Sequence, residues 1–193
     1  MELWDNNLGK RSNFDRVDRD FYKTPHAAVL PLIPHLEKGS TFLEPCAGDG
    51  ALINHLEDFG MICKDAYDLL PQRQDIKQSN ALTETFDVSD IGYIITNPPW
   101  QRELLNPMID KFMKLRPTWL LFDLDWACTT QEKISKKTGC PTVPELMKHC
   151  EKIVVIGRVK WIPNSKSIGK ENAAWYLFDI NHTTGPKFYP KVK

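Results

Sequence analysis

The residues with the clearest chemical potential are the four of "NPPW", Asn97 to Trp100, which follow the β-branched run Ile94-Ile95-Thr96. Pro98 and Pro99 donate no backbone hydrogen bond and fix φ, so the chain leaves a strand there as a stiff, extended segment. Such a segment holds the Asn97 amide, the Pro98 carbonyl and the Trp100 ring in a fixed relation. Two acceptors beside an aromatic plane suit a flat ligand that carries an amino group. The bland alternative is a rigid strand exit with Trp100 packed in the core.

Two further segments belong to the same chemistry. In "FLEPCAGDGAL" (42 to 52), Gly48 and Gly50 let backbone approach a ligand and turn the chain into a helix whose first N–H groups are free. The third glycine of the dinucleotide fingerprint is absent, because Ala51, Leu52 and Ile53 follow Gly50, and this disfavours a nicotinamide dehydrogenase. Asp68, 20 residues beyond Gly48, closes the next strand pattern, where an acid can accept hydrogen bonds from ribose hydroxyls. Singly, these read as a tight turn and an exposed carboxylate. The three together are far more specific.

The elements that must position them alternate between strand and helix patterns. Strands are expected at 41 to 44, 61 to 68, 91 to 96, 118 to 125, 152 to 161 and 173 to 180, with a weaker one near 76 to 79. Helices are expected at 51 to 60, ending at Gly60, at 101 to 115, interrupted by Pro107, and at 142 to 150. This alternation means βαβ units and a mostly parallel sheet covered on both faces, with ligands at the carboxyl ends of its strands. Segments 126 to 141 and 162 to 172 read as long polar loops, and the first ~20 residues as a partly ordered arm.

Whole-chain properties bound the reading. The 193 residues suit one domain with a proper core, and 41% hydrophobic with 26% charged residues is ordinary for a soluble globular protein. No apolar run approaches a membrane span and the N-terminus lacks a signal-peptide core, so a cytoplasmic location is expected. Five cysteines with no CxxC pair suggest neither a disulfide framework nor a zinc site, and no metal is expected. The net charge is zero, yet residues 1 to 128 hold 13 Lys/Arg against 20 Asp/Glu, and residues 129 to 193 hold 12 against 5. A basic last third can face a phosphate backbone, or its lysines can be solvated surface. Lys133, Lys136, Lys137, Lys166 and Lys170 are the expected nucleic-acid contacts.

Glu44-Pro-Cys-Ala-Gly48-Asp-Gly50, then Asp68 in "YDLLP", then "NPPW", in this order and spacing, resembles the class I S-adenosylmethionine-dependent methyltransferases that modify exocyclic amines. The likeness is greatest to DNA adenine-N6 methyltransferases, including short stand-alone ones of bacteriophage type. It covers roughly residues 18 to 125, and "DFYKTPHAAV" (20 to 29) is similar to the segment that closes over the methionine part of the cofactor in many such enzymes. It implies a Rossmann-like, doubly wound α/β fold with a mostly parallel seven-stranded sheet and an antiparallel C-terminal strand. A single methyltransferase domain over 1 to 193, with no separate target-recognition domain, is the corresponding expectation.

Residue by residue, the resemblance implies that Glu44, Ala47, Gly48 and Gly50 line the methionine moiety and that Asp68 binds the ribose hydroxyls. Tyr22 and Thr24 would lie on the methionine carboxylate side, Asn80 beside the cofactor adenine, and Asn97 at the border of cofactor and substrate. Asn97 and the Pro98 carbonyl, stiffened by Pro99, would accept from the target amine, and Trp100 would stack on the target base. Trp100 departs from the Tyr or Phe usual after the second proline. The partner implied is DNA. An amine methyltransferase acting on RNA or a protein glutamine, and a non-catalytic nucleic-acid-binding protein of the same fold, remain the alternatives.

Overall fold

The computed structural model describes residues 22–162, 164 and 168–191. The expected N-terminal arm and Lys166 lie outside these residues. Eight strands form one sheet: β1 (Thr41–Glu44), β2 (Ile62–Asp68), β3 (Lys77–Gln78), β4 (Tyr93–Thr96), β5 (Thr118–Asp123), β6 (Cys150–Arg158), β7 (Asn172–Phe178) and β8 (Lys187–Tyr189), in the order β3-β2-β1-β4-β5-β7-β6-β8. Pairing is parallel except at β7, which runs antiparallel to both β5 and β6.

The central strands are buried on both faces, and their period of two sorts side chains between two cores. On β5, Trp119 and Leu121 enter the core formed with α1 (His26–Val29) and α2 (Ala51–Asp58). Leu120 and Phe122 enter the opposite one, formed with α3 (Arg102–Met113) and α5 (Val143–Met147). β7 repeats the alternation with Trp175 and Leu177 against Tyr176 and Phe178. Where β5 and β7 lie side by side, the Phe122 and Tyr176 rings stack 4.0 Å apart at 2°, with Trp126 edge-on 5.2 Å from Phe122. Truncating a ring such as Phe122 to Ala costs about 3–5 kcal/mol.

Three expectations need correction. The sheet has an eighth strand: β7 is antiparallel, as expected, but the chain continues into β8, which pairs parallel to β6 at the sheet edge. β8 is three residues long, mostly exposed and set between Pro186 and Pro190, so it has no strand pattern; pairing and the His35–Tyr189 ring contact at 4.6 Å hold it. Pro107 does not interrupt α3, which runs unbroken through it. Burial of Leu105, Met108, Ile109 and Phe112 outweighs the single lost i→i−4 bond. The segment 126 to 141 is not a loop throughout: a 3-10 turn spans Leu124–Cys128, and α4 spans Glu132–Thr138. Its signals were local, with Glu132 in the first turn, Lys136 and Lys137 in the last, and Gly139 (φ 73°) closing the helix.

All five cysteines are free. Among the described residues no helix is long and apolar enough to cross a membrane.

Candidate functional site

The parallel strands deliver Glu44, Asp68, Gln78, Thr96 and Asp123 to one edge of the sheet, as the last residues of β1 to β5. The end of β6 and the start of β7 arrive at the same edge, because Arg158 pairs with Asn172 and Asp123 with Ala173. The crevice between β1 and β4, where the strand order reverses, faces the two central motifs.

On the β1 side the glycine turn is held by β2. Ala47 N–H donates to the Tyr67 carbonyl at 2.8 Å, and Gly48 N–H donates to Asp68 Oδ2 at 2.8 Å. Asp68 Oδ1 accepts from Leu70 N–H at 2.7 Å. Each carboxylate oxygen has two lone pairs, so Asp68 keeps capacity for hydroxyl donors. Gly48 and Gly50 have φ of 55° and 77°, the left-handed conformation this turn requires. The bare face of Gly50 is taken by the chain itself: a Cβ there would collide with Arg73 Nη1, which donates to Asn54 Oδ1 at 2.8 Å while Arg73 also pairs with Asp75.

Glu44 is 1% exposed and its Oε2 has no hydrogen-bond partner among the described residues. Burial, then the negative charge of Asp68, hold its carboxyl well above the usual carboxylate range; Arg73 opposes them and Asp49 adds to them. The Cys46 thiol is pushed up by burial, then by the negative charges of Asp68 and Glu44.

On the β4 side, Asn97 Nδ2 donates to Thr24 Oγ1 at 3.2 Å across 73 residues of sequence. Thr24 is buried, and its neighbour Lys23 pairs with Asp49 of the glycine turn at 2.7 Å, so the N-terminal segment bridges both motifs. The half-buried Trp100 donates its indole N–H to the Leu121 carbonyl at 3.1 Å and to Asn97 Oδ1 at 3.3 Å. Its ring meets Trp161 edge-on at 5.5 Å, and Tyr22 tilts against Trp161 at 6.4 Å.

The structure therefore brings Tyr22, Thr24, Glu44, Ala47, Gly48, Gly50, Asp68 and Asn97 to Trp100 to one edge. Asn80 stands just beyond β3, exposed, with its Oδ1 accepting from Leu82 N–H at 2.9 Å. Lys133, Lys136 and Lys137 are exposed on α4, which packs on α3 with Lys137 3.4 Å from Glu103, one residue past the start of that helix. Lys170 is exposed two residues before β7.

Sequence reading missed Trp161, Arg102 and Asp123. Trp161 had a signal, an aromatic just past a strand run. Arg102 and Asp123 had none, because their pairing at 2.7 Å joins elements that only the fold brings together.

Two shallow hollows of about 170 and 200 Å³ lie away from Asn97, along the outer flank of β2 near Lys64 and Asp65. Both are below the ~300 Å³ of a typical small-molecule pocket. Among the described residues no group of three or more His, Cys, Asp or Glu could hold a metal ion.

No family model and no curated protein matches the sequence. Solved structures do match in fold. A candidate RNA methyltransferase from Pyrococcus horikoshii superposes at a TM-score of 0.54 with 18% identity, over 88% of this chain and 92% of that one. A dimethyladenosine transferase from Plasmodium falciparum gives 0.51 and 14%, over 82% and 62%. A type I restriction-modification methyltransferase subunit from Streptococcus thermophilus gives 0.57 and 10%, over 89% of this chain and 49% of that one, so the chain spans about half that subunit's length. At these identities the likeness is one of architecture alone: each of the three shares the Rossmann-like, mostly parallel α/β fold of this chain.

Proposed function

We propose that the protein transfers a methyl group from S-adenosylmethionine to an exocyclic amine, the N6 of adenine in DNA. The observation that carries this reading is the placement of Asn97. Its side chain is fixed between Thr24 and Trp100, at the same strand-end edge as the buried, unpartnered Glu44.

The residues present fit the cofactor. A buried carboxyl whose Oε2 has no partner among the described residues, near Asp68 and Asp49, favours a ligand with cationic groups, and the cofactor has both an ammonium and a sulfonium. Glu44, Ala47 and Gly48 would hold its methionine part with Tyr22 and Thr24, Asp68 its ribose, and Asn80 its adenine. Gly50 supports the turn and the contact with Arg73. The cofactor supplies an electrophilic methyl.

This chain's own residues supply position. An aromatic amine is a poor nucleophile because its lone pair is delocalised into the ring. Asn97 Oδ1 and the Pro98 carbonyl accept its two N–H groups, favour a pyramidal nitrogen and aim the lone pair. Once methylated, the amine would release its surplus proton to solvent, so these residues need to position the nitrogen and no strong general base is required. A base inside a duplex cannot reach this edge, so it is flipped out or already unpaired, and Trp100 and Trp161 offset part of the lost stacking, ~1–3 kcal/mol per base. The lysines of α4, beside the start of α3, suit the flanking phosphates.

RNA is the second reading, supported by the match over 92% of the Pyrococcus horikoshii chain. The test is transfer of labelled methyl to DNA, RNA and protein pools, followed by nucleoside analysis. N6-methyladenine in DNA is the expected outcome. Label confined to RNA or protein replaces the substrate, and cofactor binding with no transfer to any pool leaves a non-catalytic binding protein.

A further inference from the structure

The segment that carries Asn97 has little backbone support of its own. Pro98 and Pro99 have no N–H to give, and the next backbone bonds, from Leu104 and Leu105 to the Gln101 carbonyl, belong to α3. Side chains tie it to β5 instead. Beyond the Trp100 indole bond to Leu121, Arg102 uses two different nitrogens on two different groups. Nη1 donates to the Trp100 carbonyl at 3.1 Å, and Nη2 donates to Asp123 Oδ1 at 2.7 Å. Asp123 is 5% exposed, and its Oδ1 also accepts from Trp126 N–H at 3.0 Å, so the carboxylate is itself fixed by the turn after β5.

We infer that Arg102, anchored by Asp123, is a positioning residue for the reacting amine: it clamps the Trp100 carbonyl and thereby the torsions of the segment that presents Asn97 and Pro98. The inference rests on the amine-methylation reading. A guanidinium is a planar fork with donors at fixed separation, so it acts as a strut between a peptide group and a buried carboxylate. A lysine ammonium at the same place satisfies one of the two. Methyl transfer depends on where the nitrogen lone pair points, and a misplacement of about 1 Å costs about a hundredfold in rate.

Arg102→Lys separates the clamp from simple structural support. Asp123 keeps a cationic partner, so the fold stands, while the Trp100 carbonyl loses its donor. The melting temperature and cofactor affinity stay near those of the parent, and the KM for nucleic acid changes by less than about threefold. Single-turnover methyl transfer at saturating substrate falls about tenfold to a hundredfold. The indole N–H resonance of Trp100, identified through Trp100→Phe, shifts or broadens while those of Trp126 and Trp175 keep their places. Should Arg102→Lys unfold, the neutral pair Arg102→Gln with Asp123→Asn carries the same expectations. A variant with the parent's rate and an unmoved Trp100 signal overturns the clamp. If the parent itself methylates nothing, the amine-methylation reading falls, and the resonance alone decides: a moved Trp100 signal sustains the clamp and an unmoved one ends it.

Discussion

Two carboxyls lie buried at the same edge of the sheet, Glu44 closing β1 and Asp123 closing β5, and the chain treats them in opposite ways. Asp123 is compensated from within, its Oδ1 accepting from both the Arg102 guanidinium and the Trp126 N–H. Glu44 is more deeply buried, has one oxygen without a partner, and faces Asp68 and Asp49. Arg73 opposes that effect only in part, so a carboxyl in that setting holds a proton or takes further compensation from a bound cation. The β5 side is thus built to fix geometry, and the β1 side to receive charge. Asn97 follows β4, which lies between β1 and β5, so the proposed methyl transfer would draw on both sides.

The largest effect is expected at that midpoint. Asn97→Ala removes a positioned acceptor, at about 3–4 kcal/mol or a hundred- to a thousandfold in methyl-transfer rate, while cofactor affinity measured by calorimetry stays nearly unchanged. Asn97→Asp keeps an acceptor and retains measurable activity. A parent-like rate in the alanine variant would reduce the segment to a rigid strand exit.

The next effect tests the self-contained side. Asp123→Ala strips Arg102 of its partner and Trp126 N–H of its acceptor, and costs about 2–4 kcal/mol in denaturant unfolding, at the low end of a broken buried pair because the Arg102 side chain is 26% exposed. A loss below about 1 kcal/mol would erase the contrast with Glu44.

A smaller effect concerns the substrate. Replacing Lys133, Lys136 and Lys137 by Ala weakens nucleic-acid binding about equally for all sequences and lowers the slope of log K against log salt by about 2–3. An unchanged slope would return these lysines to solvated surface.

The smallest, and the sharpest for the comparison, is the pH dependence of Glu44→Gln. Burial raises the Glu44 pKa in the folded protein above its usual 4.5, so its stabilising contribution is fully present below that value and is lost as pH rises through the folded value. In the cofactor-free parent, the melting temperature carries that loss toward alkaline pH. Glu44→Gln removes it, so the difference between the two melting curves opens in favour of the variant as pH rises. Parallel curves would mean that Glu44 finds compensation inside the chain after all.

Much of this was legible along the chain. Strands β4 and β6 announce themselves as β-branched runs and β1, β5 and β7 as apolar ones, β2 lies between turn signals, Asp68 closes β2, and the glycine turn and the Asn-Pro-Pro-Trp segment follow strand ends as their types require. What escaped was carried by few residues or by opposing signals. β8 has three residues between prolines, α4 is a polar helix of seven, and Pro107 argues for a break that burial of its neighbours prevents.

The sequence by itself determined the alternation of elements and the chemical type of each strand-end residue, because both depend on neighbours within a few positions. Tertiary structure alone decided the strand order, the place of β7 between β5 and β6, and which buried groups are satisfied. Thr24 meets Asn97 across 73 residues, Arg73 covers Gly50 across 23, and Arg102 reaches Asp123 across 21. The glycine motif after Glu44 sets it apart from Asp123 along the chain, but how each acid's charge is compensated cannot be read there. Only the fold puts a guanidinium in contact with Asp123 and sets Glu44 beside Asp68 and Asp49 with Arg73 merely opposing them, because charge is compensated through space and not along the chain.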